Sequence, residues 1–193
     1  MRRTLLALLL FLPCSLFAQA FHRAEQDRNI HYWLLDPASH QFHFTHDLTI
    51  TEPGKTTAES FLRKGSKPSP DVKMTDLDTG KPLATHFDAR RQALVGELDH
   101  PIAAGLSTRV RVEETYSDPV GYTLQNGELV WKRTLGRALN FVTLPAGWML
   151  TSVNVPATIT LDAEGRVTMR FVNIRNDELA VDIRARRRPG GQG

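Results

Sequence analysis

The sequence predicts an all-β fold: an antiparallel immunoglobulin-like β-sandwich of about ten strands, following a cleaved signal helix. Three observations carry that expectation. Apolar residues recur with period two from Ile30 onward. Turn-forming pairs such as Pro53-Gly54 and Asn126-Gly127 divide the chain into short segments, as in sandwich and barrel proteins. No stretch shows the apolar stripe of a long amphipathic helix.

The first twenty residues, MRRTLLALLLFLPCSLFAQA, read as a Sec-type signal peptide. Arg2 and Arg3 supply the positive start, residues 5–12 the apolar stretch, and Ala18 and Ala20 the small residues that signal peptidase admits. Cleavage is expected after Ala20, which places the mature chain in the periplasm or outside the cell. The apolar stretch is far shorter than the roughly 20 residues of a spanning helix, so no transmembrane segment is expected after cleavage. Cys14 follows Pro13, where a lipobox carries a small residue, and is not read as a lipidation site.

Residues 21–183 read as the sandwich. Ile30, Tyr32 and Leu34 alternate with His31, Trp33 and Leu35 until Asp36-Pro37 ends the run. Phe42, Phe44, His46, Leu48 and Ile50 then share one strand face, with His43, Thr45, Asp47 and Thr49 on the other. Residues 57–63 fit a strand or a short helix. The basic, Pro- and Ser-rich stretch 63–70 reads as a surface loop of one sandwich, with a boundary between two sheets as the alternative. Val72 and Met74 lead to the turn Asp78-Thr79-Gly80, residues 93–98 give a short strand, and Val110 and Val112 alternate with Arg109 and Arg111. Asn126-Gly127 suits a type I′ hairpin turn, which needs positive φ at both positions. A strand at 141–144, a hairpin turning at 162–165 and a last strand through Leu179, Val181 and Ile183 complete the series. From Arg184 the sequence RARRRPGGQG is expected to be a disordered basic tail, residues 184–193.

The pI of about 9.2 invites a nucleic-acid reading, and the charge distribution removes it. Of 24 Lys and Arg residues, two lie in the leader and four in the tail; the body keeps 18 against all 21 acidic groups. No nucleic-acid partner is therefore expected. The single cysteine lies in the leader, so the mature chain is expected to have no disulfide, thiol nucleophile or thiolate metal ligand.

The densest titratable cluster is the run from His40 to Asp47, with His43 and His46 between them. Neutral imidazole is the commonest transition-metal ligand, so His43 with Asp47, joined by His31 or His86 from other strands, is a candidate metal site. Strand alternation opposes a site built from His40, His43 and His46 together, since His43 faces away from the other two, and leaves His43 with Asp47 open. No His-Glu-x-x-His, Gly-x-Ser-x-Gly or phosphate-cradling loop is present. For partner contact the candidates are Trp148, beside the Pro145-Ala146-Gly147 turn, and the tail residues Arg184, Arg186, Arg187 and Arg188; Trp131 is expected in the core.

The run Phe141-Val142-Thr143-Leu144-Pro145-Ala146-Gly147-Trp148, with Pro156, Asp162-Ala163-Glu164-Gly165-Arg166-Val167, Phe171-Val172-Asn173 and Glu178-Leu179, has a recognisable cadence. It resembles the "LPxGW…P…DGR…FxN" end of exported β-sandwich domains, such as those preceding the catalytic domain of M1-type metallopeptidases. The resemblance implies a fold and carries over no catalytic residue. Together these readings favour a secreted, non-catalytic, cofactor-free sandwich that binds a protein or glycan partner in the cell envelope or outside the cell. Two alternatives stand beside it: a metal-dependent hydrolase or metal-binding protein using the His40/His43/His46 region, and a polyanion-binding protein acting through the terminal arginines.

Overall fold

The computed structural model describes residues 29–62, 67–174 and 177–189. The signal peptide and its cleavage site lie outside the described residues, as does the end of the chain from residue 190.

Two ten-residue strands form the spine: β2 (Gln41–Ile50) and β7 (Thr108–Ser117), antiparallel and paired over their whole length from Gln41↔Ser117 to Ile50↔Thr108. At about 3.3 Å per residue such strands run some 30 Å. Their period-two pattern puts Phe42, Phe44, His46, Leu48 and Ile50 on the same face as Val110, Val112, Glu114 and Tyr116. β1 (Asn29–Leu34) lies on the other side of β2. The other strands, in chain order, are β3 (Thr57–Phe61), β4 (Lys73–Asp76), β5 (Thr85–Asp88), β6 (Ala93–Glu97), β8 (Tyr122–Gln125), β9 (Glu128–Leu135), β10 (Leu139–Thr143), β11 (Trp148–Val153), β12 (Thr158–Leu161), β13 (Val167–Val172) and β14 (Leu179–Arg187).

They assemble into a seven-stranded sheet, β12-β13-β10-β1-β2-β7-β4, and two smaller sheets, β11-β14-β9-β8 and β3-β6-β5. The four-stranded sheet meets one end of the long sheet around Tyr32, Phe42, Val142, Met169 and Phe171, burying Trp131, Trp148, Tyr122 and Ile183 against them. The three-stranded sheet meets the other end around Leu48, Val110, Val112 and Met74, to which it contributes Ala58 and Leu94. A spine of this length has room for both cores on one face, which is why the sandwich has one long layer and two short ones.

The fold is thus an all-β sandwich. It does not establish the immunoglobulin-like connectivity: three sheets share the strands, β1 and β10 run parallel (Asn29↔Leu139 to Trp33↔Thr143), and the described residues contain fourteen strands. The ambiguous segment 57–63 contains β3. The chain after β3 passes from the three-stranded sheet to β4 at the edge of the seven-stranded sheet. Asn126 (φ 51°) and Gly127 (φ 78°) both adopt the left-handed conformation, as the hairpin they close requires. The expected disorder of the tail is corrected for residues 184–187; its end lies outside the described residues. β14 runs to Arg187, because Arg184 and Ala185 pair with Val130 and Leu129 of β9, and Arg187 pairs with Trp148 of β11.

Candidate functional site

The two faces of the seven-stranded sheet differ. One carries both cores; over the other, among the described residues, no sheet packs. Strand alternation sends His31 and Trp33 of β1, His43, Thr45 and Asp47 of β2, Phe141 and Thr143 of β10, and Arg111, Glu113 and Thr115 of β7 to this second face.

Across β10, β1 and β2 these residues form a strip of rings. The His31 imidazole stacks on the Trp33 indole with centroids 3.6 Å apart and planes 20° from parallel. Phe141 lies 5.4 Å from His31 on one side, and His43 lies 5.9 Å from Trp33 on the other. All four side chains are half-buried. The strip is held from below: a His31 ring nitrogen is 2.7 Å from the Thr143 hydroxyl, which is 2.7 Å from the Thr168 hydroxyl. Burial lowers the His31 pKa from 6.5 to about 4, so this ring is neutral at physiological pH and stacks as an aromatic surface.

Beside the strip, on β2 and β7, the face is charged and internally paired. Arg111 donates two hydrogen bonds to Asp47, 2.6 and 2.8 Å long, in the fork geometry that guanidinium and carboxylate favour. Glu113 sits between Lys73, at 3.2 Å, and His43, at 4.0 Å. An apolar, aromatic centre bordered by fixed charge pairs is the composition of a protein-contact surface.

The structure places the candidate metal trio as follows. His43, Asp47 and His31 share a face, yet each has its own engagement, with Glu113, Arg111 and Thr143 respectively. Among the described residues no group of three His, Cys, Asp or Glu side chains converges on a metal-sized space. His40 is not on the strand: it adopts a left-handed conformation (φ 55°) before β2, with ring Nδ1 2.8 Å from the Tyr122 carbonyl oxygen. His46 faces inward and is buried.

The partner-contact candidates are also displaced. Trp148 is 2 % exposed, in the first core, because the turn before it leads directly into β11; the expectation that it lies at the surface is corrected. Arg187 lies over its ring at 5.1 Å and pairs with Asp36 at 3.3 Å. Arg184 and Arg186 both pair with Glu128, at 3.1 and 3.3 Å, and Arg188 donates a hydrogen bond to the Gly165 carbonyl. Arg184 and Arg186 thus pair within the four-stranded sheet, while Arg187 and Arg188 reach outside it. Trp33, His31 and Phe141, whose register across three strands makes the strip, were not singled out together. Only the parallel pairing of β1 with β10 reveals it.

No protein-family model and no curated protein matches the chain in sequence. Solved structures do match in fold. Two crystal structures of the M1 zinc metallopeptidase from Deinococcus radiodurans, and one of a two-domain M1 zinc metallopeptidase bound to L-tryptophan, each superimpose with a TM-score of 0.50 at 16% identity. Each match covers 83% of this chain and 41% of the metallopeptidase, in keeping with the resemblance to the β-sandwich domain of that family without its catalytic domain. This chain therefore spans less than half the length of the proteins it resembles. No helix among the described residues is long and apolar enough to cross a membrane.

Proposed function

We propose that this chain, built on the sandwich it shares with M1 zinc metallopeptidases, is an exported, non-catalytic binding module. It engages a protein partner in the cell envelope or outside the cell through the outer face of its seven-stranded sheet. The observation that supports this most directly is the Phe141-His31-Trp33-His43 strip, half-buried at the centre of a face with paired charges beside it. Rings with few rotatable bonds lose little entropy when a partner covers them, and such aromatics dominate the buried centres of interfaces. The leader-like first twenty residues support export.

The test is a crosslinking pull-down from an envelope fraction, comparing wild type with Trp33→Ala and with Lys132→Ala on the four-stranded sheet. A discrete partner captured by wild type and Lys132→Ala, and lost with Trp33→Ala, is the expected result. Equal capture by all three would remove the assignment to this face. Sequencing the N-terminus of the exported protein should give Phe21 first; a retained Met1 would remove export by cleavage.

A further inference from the structure

The covered face of the long sheet has a gap. Where β2 and β7 pass from the first core to the second, the two small sheets do not meet, and a cleft of about 190 Å³ opens between them. Its floor is the middle of the spine, with Tyr32, Phe44 and Tyr116 as the aromatic part. Leu62 and Leu94 border it on the side of the three-stranded sheet, and Arg133 and Arg137 on the side of the four-stranded sheet.

The charges in the cleft are unequally satisfied. Arg133, whose side chain is only 11% exposed, pairs with Asp118 at 3.2 Å and is sandwiched by rings, its guanidinium carbon 5.0 Å from Phe42, 5.4 Å from Tyr32 and 5.5 Å from Tyr116. It is fully employed by the fold. Glu114, 6% exposed on the floor, accepts a hydrogen bond from the Ser69 N–H, and burial raises its pKa by disfavouring its charged form.

Arg137 is different. It sits in the turn between β9 and β10, and its own carbonyl is held by the Asn140 side-chain amide at 2.7 Å. Its Nε–H is buried without an acceptor, and no ion pair neutralises its guanidinium among the described residues. A buried donor without an acceptor is costly, and an always-charged guanidinium cannot relieve that cost by losing its proton. The cleft's other acid, Glu178, lies at the mouth, its carboxylate 3.5 Å from where a side chain at Gly136 would begin.

We infer that this cleft binds a small amphipathic monocarboxylate, its carboxylate accepting hydrogen bonds from Arg137 and its apolar body lying on Phe44 and Tyr32 against Leu62. The planar fork of arginine matches a carboxylate in two parallel hydrogen bonds. An apolar cavity of about 150 Å³ holds one benzene, so this cleft accepts a ring or a short branched chain plus the carboxylate. A larger ligand would have to protrude between the sheets.

The test uses ligand-observed and protein-observed NMR on the purified chain with benzoate, phenylacetate and isovalerate, and with phenylacetamide as the uncharged isostere of phenylacetate. At least one carboxylate should bind and move the resonances of Phe44, Leu62 and Arg137, with phenylacetamide at least about tenfold weaker than phenylacetate. Arg137→Gln should weaken carboxylate binding by a similar factor. Leu62→Trp, which keeps the cation and fills the cleft, should abolish binding and covers the case in which Arg137→Gln does not fold. The assignment is overturned if none of the carboxylates binds up to high millimolar concentration, if amide and acid bind equally, or if a folded Arg137→Gln or Leu62→Trp binds as wild type does.

Discussion

The two cores on the covered face share the β2–β7 spine and differ in what fills them. The first, under the four-stranded sheet, holds Trp131, Trp148, Tyr122, Phe42 and Phe171, with Tyr32 edge-on to Phe42 (5.6 Å, 77°) and Phe42 edge-on to Trp131 (6.4 Å, 82°). The second, under the three-stranded sheet, contains no aromatic ring among its buried residues and is packed by leucine, valine, alanine and Met74. An aromatic side chain brings more apolar area into a core than an aliphatic one. The first core is therefore the thermodynamic anchor, and the second a lighter extension that depends on the spine for its position. Gly96 shows how closely that extension packs: a Cβ there would lie 3.0 Å from the Met74 sulfur.

The largest expected effect comes from the anchor. Trp131→Ala, at a site with no solvent exposure, should destabilise the protein by about 3–5 kcal/mol, measured by urea unfolding followed by circular dichroism. A loss below about 1 kcal/mol would contradict the ranking of the cores. Leu94→Ala in the second core should cost less, about 2–3 kcal/mol. Two of the three tryptophans lie in the first core and none in the second, so fluorescence reports on the anchor. If the shared spine makes the two cores one cooperative unit, Leu94→Ala shifts the fluorescence and circular dichroism transitions together. Separation of the two transitions would show the three-stranded sheet unfolding by itself.

The smallest effect concerns the uncovered face. His31 has a folded pKa of about 4 against 6.5 unfolded, so the unfolded chain takes up its proton first. The stability contributed by the neutral ring is present above pH 6.5 and is lost as the pH falls from 6.5 toward 4. His31→Phe should flatten that part of the stability–pH profile while changing stability at pH 8 little. An unchanged slope between pH 6.5 and 4 would show that the ring is not buried as the strip requires.

Much of the fold was legible locally. The alternation of Phe42 through Ile50, the Asn126-Gly127 turn and the closing strand through Ile183 follow from side-chain period and backbone preference, which act over a few residues. The edge strand β5 was not: at four residues it is too brief for a pattern, and no turn pair marks it off. Trp148 was misplaced because a Gly-containing turn marks where the chain bends and not which way the next side chain points. The arginines after Ile183 read as solvated, although Glu128 and Asp36, far away in sequence, hold three of them in or beside an ordered strand.

The candidate face was less legible than the fold. His31 and Trp33 are two residues apart, so their shared face was readable, but Phe141 joins them only through a parallel pairing across more than one hundred residues. The cleft was not readable at all, since its floor comes from β1, β2 and β7 and its cation from the turn after β9.

By itself, then, the sequence determined the class of the fold, the length of its spine and which face of that spine is apolar, because alternation and turn chemistry are local. The tertiary structure alone decided that two sheets share the covered face, that a gap containing Arg137 remains between them, and that four rings align on the other side. Those outcomes depend on which strands become neighbours, and strand pairing is settled by the burial available to the whole chain, not by any one segment of it.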